Sequence, residues 1–220
     1  MRDTSFASSS SLIGQLALGE ARALREKLLH EPPHLPLTPR RGDFDLNPGL
    51  RPKQPRALAP AAVLMPIVQA KEPRVIFTQR TATLSRHAGQ VSFPGGRADA
   101  TDVSLVQTAL RETQEETGID PGFVTVAGYL DAYETGTGYA ILPVVGLLSE
   151  GFALSPNASE VAEVFEVPLA FLLDPANRER GSGEWQGQRR EFHVFRFDGH
   201  YIWGATAAML VNFADRVTGK

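Results

Sequence analysis

Two spacings of apolar residues alternate along this chain. The apolar run Ala61 to Gln69 (AAVLMPIVQ) has the continuous character of a buried strand, with Pro66 inside it pointing to an edge or a bulge. Glu72-Pro73 predicts a turn and Arg74 to Arg80 (RVIFTQR) a second strand, so the two form a hairpin. Residues 81–92 read as a polar loop. Val124 to Leu130 and Tyr139 to Leu148 (YAILPVVGLL) predict further strands, with Gly136 and Gly138 in the turn between them and Pro143 again at an edge. Glu160 to Val167 reads as a short strand leading into a helix over Pro168 to Leu173. Phe192 to Phe197 alternates as a strand, Asp198-Gly199 turns, and Tyr201 to Trp203 resumes it. The helical spacing marks Ala205 to Val217, with Met209, Leu210 and Phe213 inward, and Leu12 to Leu29, where Ile13, Ala17, Ala21, Leu24 and Leu28 share a face.

Strands and helices mix here without a regular βαβ repeat, which predicts an α/β or α+β class with a mixed sheet between helices. Residues 31–60 hold eight of the sixteen prolines and the basic residues Arg40, Arg41, Arg51, Lys53 and Arg56. Proline denies such a stretch regular ladders, so it reads as an extended connector. Its basic residues are expected to be solvated, with a phosphate site as the alternative. The division that follows is residues 1–58 as N-terminal helix and proline-rich connector, and 59–220 as the compact domain. The N-terminal helix is expected to pack on the domain or on a partner subunit, which leaves a homodimer open.

Composition narrows the chemistry. At 220 residues and 42% hydrophobic content, the chain can bury a core. A net charge of −3 gives no electrostatic reason for nonspecific nucleic-acid binding. An anionic substrate would therefore need local arginines or metal ions. No cysteine is present, which removes disulfides, zinc-thiolate sites and thiol nucleophiles. No apolar run is long enough to span a bilayer, and the start Met1-Arg2-Asp3 runs into serines without an apolar core, so a cytoplasmic location is expected.

The candidate chemistry sits between Phe93 and Ile119. A diglycine turn, Gly95-Gly96, feeds a helix expected to be capped by Thr101 or Asp102 and stopped at a left-handed Gly118. Glu112, Glu115 and Glu116 stand at i, i+3 and i+4, hence on one face. Three like charges so placed repel, and a divalent cation removes that cost. All-oxygen ligands suit Mg²⁺ or Mn²⁺ rather than zinc. Arg111 can pair with a carboxylate and orient it. The glycines let a backbone carbonyl, that of Gly96, approach the same point.

These residues resemble the Nudix box, Gly-x5-Glu-x7-Arg-Glu-(apolar)-x-Glu-Glu-x-Gly-(apolar), with Gly96 opening it and Arg111, Glu112, Glu115, Glu116, Gly118 and Ile119 closing it. Asp102 stands in place of the first Glu, with eight residues rather than seven between it and Arg111, and Thr113 replaces an apolar residue. The longer spacing is similar to the coenzyme A pyrophosphatase branch. So is the upstream stretch Ile76-Phe77-Thr78-Gln79-Arg80-Thr81, then Ser85, Arg86, Gly89, Val91 and Phe93 to Gly96, in which Ser85 takes an arginine's place and Arg86 follows.

The resemblance spans residues 60–215. It implies an α/β/α sandwich and a hydrolase of nucleoside diphosphates linked to another moiety. For the branch it implies cleavage of coenzyme A to 3′,5′-ADP and 4′-phosphopantetheine. The alternatives are another substrate (ADP-ribose, a dinucleotide, an oxidised nucleotide) or a catalytically silent nucleotide-binding module. It further implies metal binding by Glu112, Glu115, Glu116 and Gly96, catalytic parts for Glu112, Arg111 and the loop residue Glu160, and substrate contacts from Arg80, Arg86 and Gly95. Tyr133 and Tyr139 are candidates to stack on adenine. His87 and His193 read as structural, and Trp203 as a core or interface residue.

Overall fold

The computed structural model describes residues 21–82, 89–185 and 187–219. Its centre is the pair β2 (Ala59–Val68) and β8 (Tyr139–Leu148), which run parallel in register from Ala59 beside Tyr139 to Val68 beside Leu148. Parallel strands are covered on both faces, and both strands are accordingly almost continuously apolar. Around this pair lie β1 (Arg41–Gly42), β3 (Arg74–Arg80), β4 (Val91–Ser92) and β7 (Tyr133–Glu134), giving the order β1-β7-β8-β2-β3-β4. Further strands join the path: β5 (Gly95–Arg97) on β2, β6 (Val124–Tyr129) on β8 and β9 (Val161–Pro168) on β3. The sheet is mixed, as the sequence predicts, and β2 and β3 meet as a hairpin through Ile67–Val75 and Val68–Arg74.

The two-residue strand period divides the core. Ala62 and Leu64 of β2 face a cluster with Leu105, Ala109, Leu142 and Val144 under helix α2 (Leu105–Thr117). Met65 and Ile67 face the opposite cluster, with Leu24 and Leu28 of α1 (Ala21–Lys27), Leu169 and Leu172 of α3 (Leu169–Leu173), and Met209, Leu210 and Phe213 of α4 (Gly204–Thr218). Helices therefore lie on both sides of the sheet. The N-terminal helical pattern is met from Ala21; its residues 12–20 lie outside the described residues. Leu28 sits where a Cβ on Gly128 would come within 2.6 Å, so this close approach requires the glycine. Among the described residues no helix is long and apolar enough to cross a membrane.

A second, antiparallel sheet consists of β10 (Glu179–Trp185), β11 (Gln188–Phe197) and β12 (His200–Trp203). Sequence patterning finds only the end of β11 and β12. β10 (ERGSGEW) is exposed along most of its length, so no apolar alternation marks it.

Four expectations change. Neither Pro66 nor Pro143 lies on an edge. Pro66 falls where β5, paired at residues 61–63, has ended and β3, paired at 67–68, has not begun. Pro143 likewise falls between the β6 partners of residues 144–148 and the β7 partners of 140–141, and its carbonyl accepts from Leu130 N at 3.1 Å. A missing N–H costs no ladder bond at such a handover. The loop 81–92 ends in strand β4. The proline-rich connector contributes β1, parallel to β7, and a 3₁₀ turn at Pro48–Leu50. Its arginines are not simply solvated: Arg51 and Arg56 both reach Glu134, at 3.4 and 3.3 Å.

Candidate active site

Helix α2 is positioned at both ends by local chemistry. Ser104, rather than Thr101 or Asp102, is the N-cap, its hydroxyl accepting from Gln107 N at 3.2 Å. Gly118 ends the helix in the left-handed region, φ 78°, with its N–H donating to Gln114 O. The last carbonyls are then taken by the following loop, Ser155 N to Thr117 O at 2.8 Å and Asn157 N to Glu116 O at 3.0 Å. That loop brings Glu160 to the site, where its charge acts on both Glu112 and Glu116.

Asp102 has a different task from capping. Its two oxygens accept from Arg111 Nε and Nη2, each at 2.9 Å, and from Thr108 Oγ1 at 2.8 Å. This bidentate clamp holds the Asp102 carboxyl far below the usual carboxylate range, the Arg111 guanidinium being the chief cause. Arg111 Nη1 then reaches Glu112 at 2.9 Å and Glu115 at 3.1 Å. Aspartate one residue farther away thus still reaches Arg111 with both oxygens. Thr113 fits its apolar position because its hydroxyl is tied back to Ala109 O at 2.6 Å.

The diglycine turn faces the helix. A Cβ on Gly96 would lie 2.5 Å from Glu112 Oε2, and Gly95 N–H donates to Glu116 Oε2 at 3.3 Å. Glu116 is 4% exposed. Burial pushes its carboxyl up to about 7, against the pull of the Gly95 N–H and the Arg80 guanidinium 3.6 Å away. Burial also raises Glu112, opposed by Arg111 and reinforced by Glu115 and Glu160. Arg80 keeps its Nε buried without a partner among the described residues. Arg86 and His87 lie outside the described residues.

Among the described residues no three acidic or histidine groups converge as a formed metal cage. Arg111 draws Glu112 and Glu115 to itself, while Glu116 turns to Gly95. The donor set nevertheless fits a hard divalent cation. It is all oxygen, it includes a buried carboxylate with only weak partners, and the missing Cβ of Gly96 lets the Glu112 carboxylate lie against the glycine turn.

From this turn a cleft of about 1630 Å³ runs between the main sheet and the wall formed by β10–β12 and α4. Gly95, Gly96 and Arg80 line it, as do His193, Trp203, Phe192 and Asn212. Several sequence readings change here. Tyr133 is buried, its hydroxyl donating to Asp43 at 2.8 Å, so its ring is not available to stack on a base. Tyr139 lines the cleft. Trp203 lies against Phe192 in the cleft wall, and His193 lines the cleft with its Nδ1 buried and unpartnered among the described residues. Asp43 and Asn47 were not singled out by sequence. Asp43 accepts from Gly136 N at 2.6 Å and Arg190 Nη2 at 3.2 Å. Asn47 is paired through its amide to both backbone groups of Glu191, at 2.8 and 2.9 Å. Nothing in the local sequence marks either residue, because their partners lie about ninety or more positions away.

A model of the NUDIX domain matches residues 58–185. The chain belongs to the Nudix hydrolase family. The uncharacterized Nudix hydrolase NudL of Photorhabdus laumondii is 42% identical over 157 residues, 71% of this chain and 84% of the relative. The protein of the same name from Pectobacterium atrosepticum is 40% identical over 185 residues, 82% of this chain and 93% of the relative. Solved structures similar to it include a Caenorhabditis elegans Ap4A hydrolase (20% identity, TM-score 0.43, covering 50% of this chain and 80% of that one). Another is the NUDIX domain of Shewanella oneidensis NrtR complexed with ADP ribose (23% identity, TM-score 0.42, covering 56% and 80%). This Nudix hydrolase is an enzyme of diphosphate linkages, and Nudix enzymes generally use divalent metal ions.

Proposed function

We propose that this Nudix hydrolase cleaves the diphosphate of coenzyme A or its acyl derivatives, giving 3′,5′-ADP and 4′-phosphopantetheine. The observation that carries the reading is the cleft. At about 1630 Å³ it exceeds the few hundred to about 1,000 Å³ of an ordinary small-molecule site. It opens beside the glycine turn that faces the carboxylate helix and extends well beyond that turn, giving room for a substrate with long groups attached to its diphosphate. The stretch Ile76 to Gly96, with its resemblance to the coenzyme A branch, supports the same substrate.

In this reading Glu112, Glu115, Glu116 and the Gly96 carbonyl hold Mg²⁺ or Mn²⁺. Such an ion would supply Lewis acidity there, making a water more acidic and offsetting negative charge on the leaving group. The protein's own part is orientation and charge. Asp102 fixes Arg111, and Arg111 fixes Glu112 and Glu115. Arg111 acts catalytically by this positioning. Glu112 or Glu160 takes the proton of the attacking water, both being carboxylates at the same site. Arg80, Arg86 and the Gly95 N–H bind phosphate oxygens, and the Nε of Arg80 is a donor without a partner among the described residues.

The test is a substrate panel with Mg²⁺ or Mn²⁺: coenzyme A, acetyl-coenzyme A, ADP-ribose, NADH and dinucleoside polyphosphates, with products identified by mass. Preferential release of 3′,5′-ADP is expected. Preference for ADP-ribose or a dinucleotide overturns the substrate, and no turnover of any member favours a silent nucleotide-binding module.

A further inference from the structure

Helix α4 borders the cleft along one stripe. Ala205, Ala208, Asn212 and Asp215 are spaced by three, four and three residues, so they share a face, and all four line the cleft. The N-terminal turn of α4 is anchored beside the glycine turn, Thr206 Oγ1 donating to Val91 O at 3.3 Å. Its far end meets Arg178, which pairs with Asp215 at 2.9 Å. From Ala205 to Asp215 the helix advances about 15 Å. Across the cleft the main sheet offers Val63 and Ile141. The near part of this channel is therefore small-residued and apolar, and it starts at the diphosphate end.

Its far part is polar but uncharged in sum. Asn212 is 7% exposed. Its Nδ2 donates to Asp131 Oδ2 at 3.2 Å, which fixes the orientation of the amide and leaves Oδ1 as an acceptor with no partner among the described residues. His193 stands beside the same helix end and also keeps a buried ring nitrogen unpartnered. Burial, reinforced by the Arg180 and Arg178 guanidiniums, holds His193 below the ordinary histidine value, so the ring is neutral near pH 7. A buried polar atom without a partner is unfavourable, and a ligand hydrogen bond offsets that cost. A phosphate does not suit this end, because Asp215 is a carboxylate and Arg178 is already paired with it.

We infer that the cleft face of α4, from Ala205 to Asp215, with His193 of β11, is the subsite for the substrate's uncharged arm: an aliphatic chain of about 15 Å that carries secondary amides. The inference rests on the coenzyme A reading, whose pantetheine arm has this chemistry. Ala205 and Ala208 leave room for the methylenes, and Asn212 Oδ1 accepts an amide N–H.

The experiment titrates the ¹⁵N-labelled full chain with pantetheine, which has the arm but neither phosphate nor nucleotide, into the millimolar range. Coenzyme A hydrolysis is followed on the same preparation. Expected are shifts along Ala205–Asp215, at the Asn212 side-chain amide and at His193, with at least tenfold weaker binding in Asn212→Leu. Ala208→Phe, which fills the channel without removing a polar partner, is expected to weaken binding to a similar degree. Absence of shifts at these residues in the wild type, or undiminished binding in both variants, overturns the subsite. Cleavage of coenzyme A without those shifts sinks the subsite alone. Those shifts without cleavage of coenzyme A sink the substrate reading and leave the subsite standing.

Discussion

On helix α2, which faces the glycine turn at the edge of the cleft, Arg111 reaches Asp102 across nine residues of sequence, Glu115 across four and Glu112 across one. Behind the cleft wall Asn47 meets the cleft-lining Glu191 across 144 residues. The first region concentrates charge: carboxylates held by Arg80 and Arg111 around a glycine turn. The second has paired ions, small apolar positions and buried neutral polar groups. The contrast separates two tasks. Diphosphate cleavage needs a few charged groups held rigidly within one loop and helix. Choosing what is attached to the diphosphate needs a long surface, and a long surface draws on distant parts of the chain.

The largest expected effect would break the comparison at α2. Glu116→Gln should lower kcat by about a thousandfold or more, the scale of losing a group that stabilises charge in the transition state. Its melting temperature should stay near that of the wild type, since a buried carboxylate with weak partners is replaced by a neutral isostere. Parallel rate and melting measurements check both. A tenfold-or-less loss in rate would remove Glu116 from the chemistry.

Asp102→Asn should cost about ten- to a hundredfold in kcat, as loss of an outer-shell partner does. It should also cost about 2 kcal/mol in stability, as loss of a charged hydrogen-bonded pair does. The pH dependence has a definite sign. Because the folded value of Asp102 is depressed, its stabilisation is complete above the unfolded value of about 3.9 and fades as pH falls through the lower folded value. Urea unfolding between pH 3 and 7 should therefore show a large gap between wild type and variant at neutral pH and a narrowing gap in acid.

Gly96→Ala sharpens the claim about the turn. The new methyl would meet the Glu112 carboxylate, the far end of a side chain that can swing away. Activity should fall about tenfold or more while stability drops by less than about 2 kcal/mol. Smallest is Asn47→Ala, in the other region. It leaves both backbone groups of Glu191 without their partner, so KM should rise several-fold and stability fall by about 1–3 kcal/mol, with kcat nearly unchanged. A kcat loss as large as that of Asp102→Asn would merge the two regions.

The same contrast explains what was legible in the sequence. Strands β2, β3, β8 and β9, the two main helices and the Gly118 stop follow from periodicity and local turn chemistry. The i, i+3, i+4 carboxylates follow from helix geometry. What escaped is non-local. Pro66 and Pro143 imply edges only while the handover between neighbouring strands is unknown. Asp102 looks like a helix cap until Arg111 is seen to fold back on it. β10 has no buried face to create a pattern, and Tyr133 looks available for stacking until the fold buries its ring, with its hydroxyl on Asp43 ninety residues away. Asn212 is a lone polar residue between the inward Leu210 and Phe213, and only its position against the cleft draws attention to it.

The central claim is that the face of α2 with Glu112, Glu115 and Glu116 holds the divalent ion. Mn²⁺ titration followed by electron paramagnetic resonance tests it without reference to any substrate. Wild-type protein should bind Mn²⁺ measurably, and Glu112→Gln, Glu115→Gln and Glu116→Gln should each weaken that binding at least tenfold. Undiminished Mn²⁺ affinity in all three variants would contradict the account.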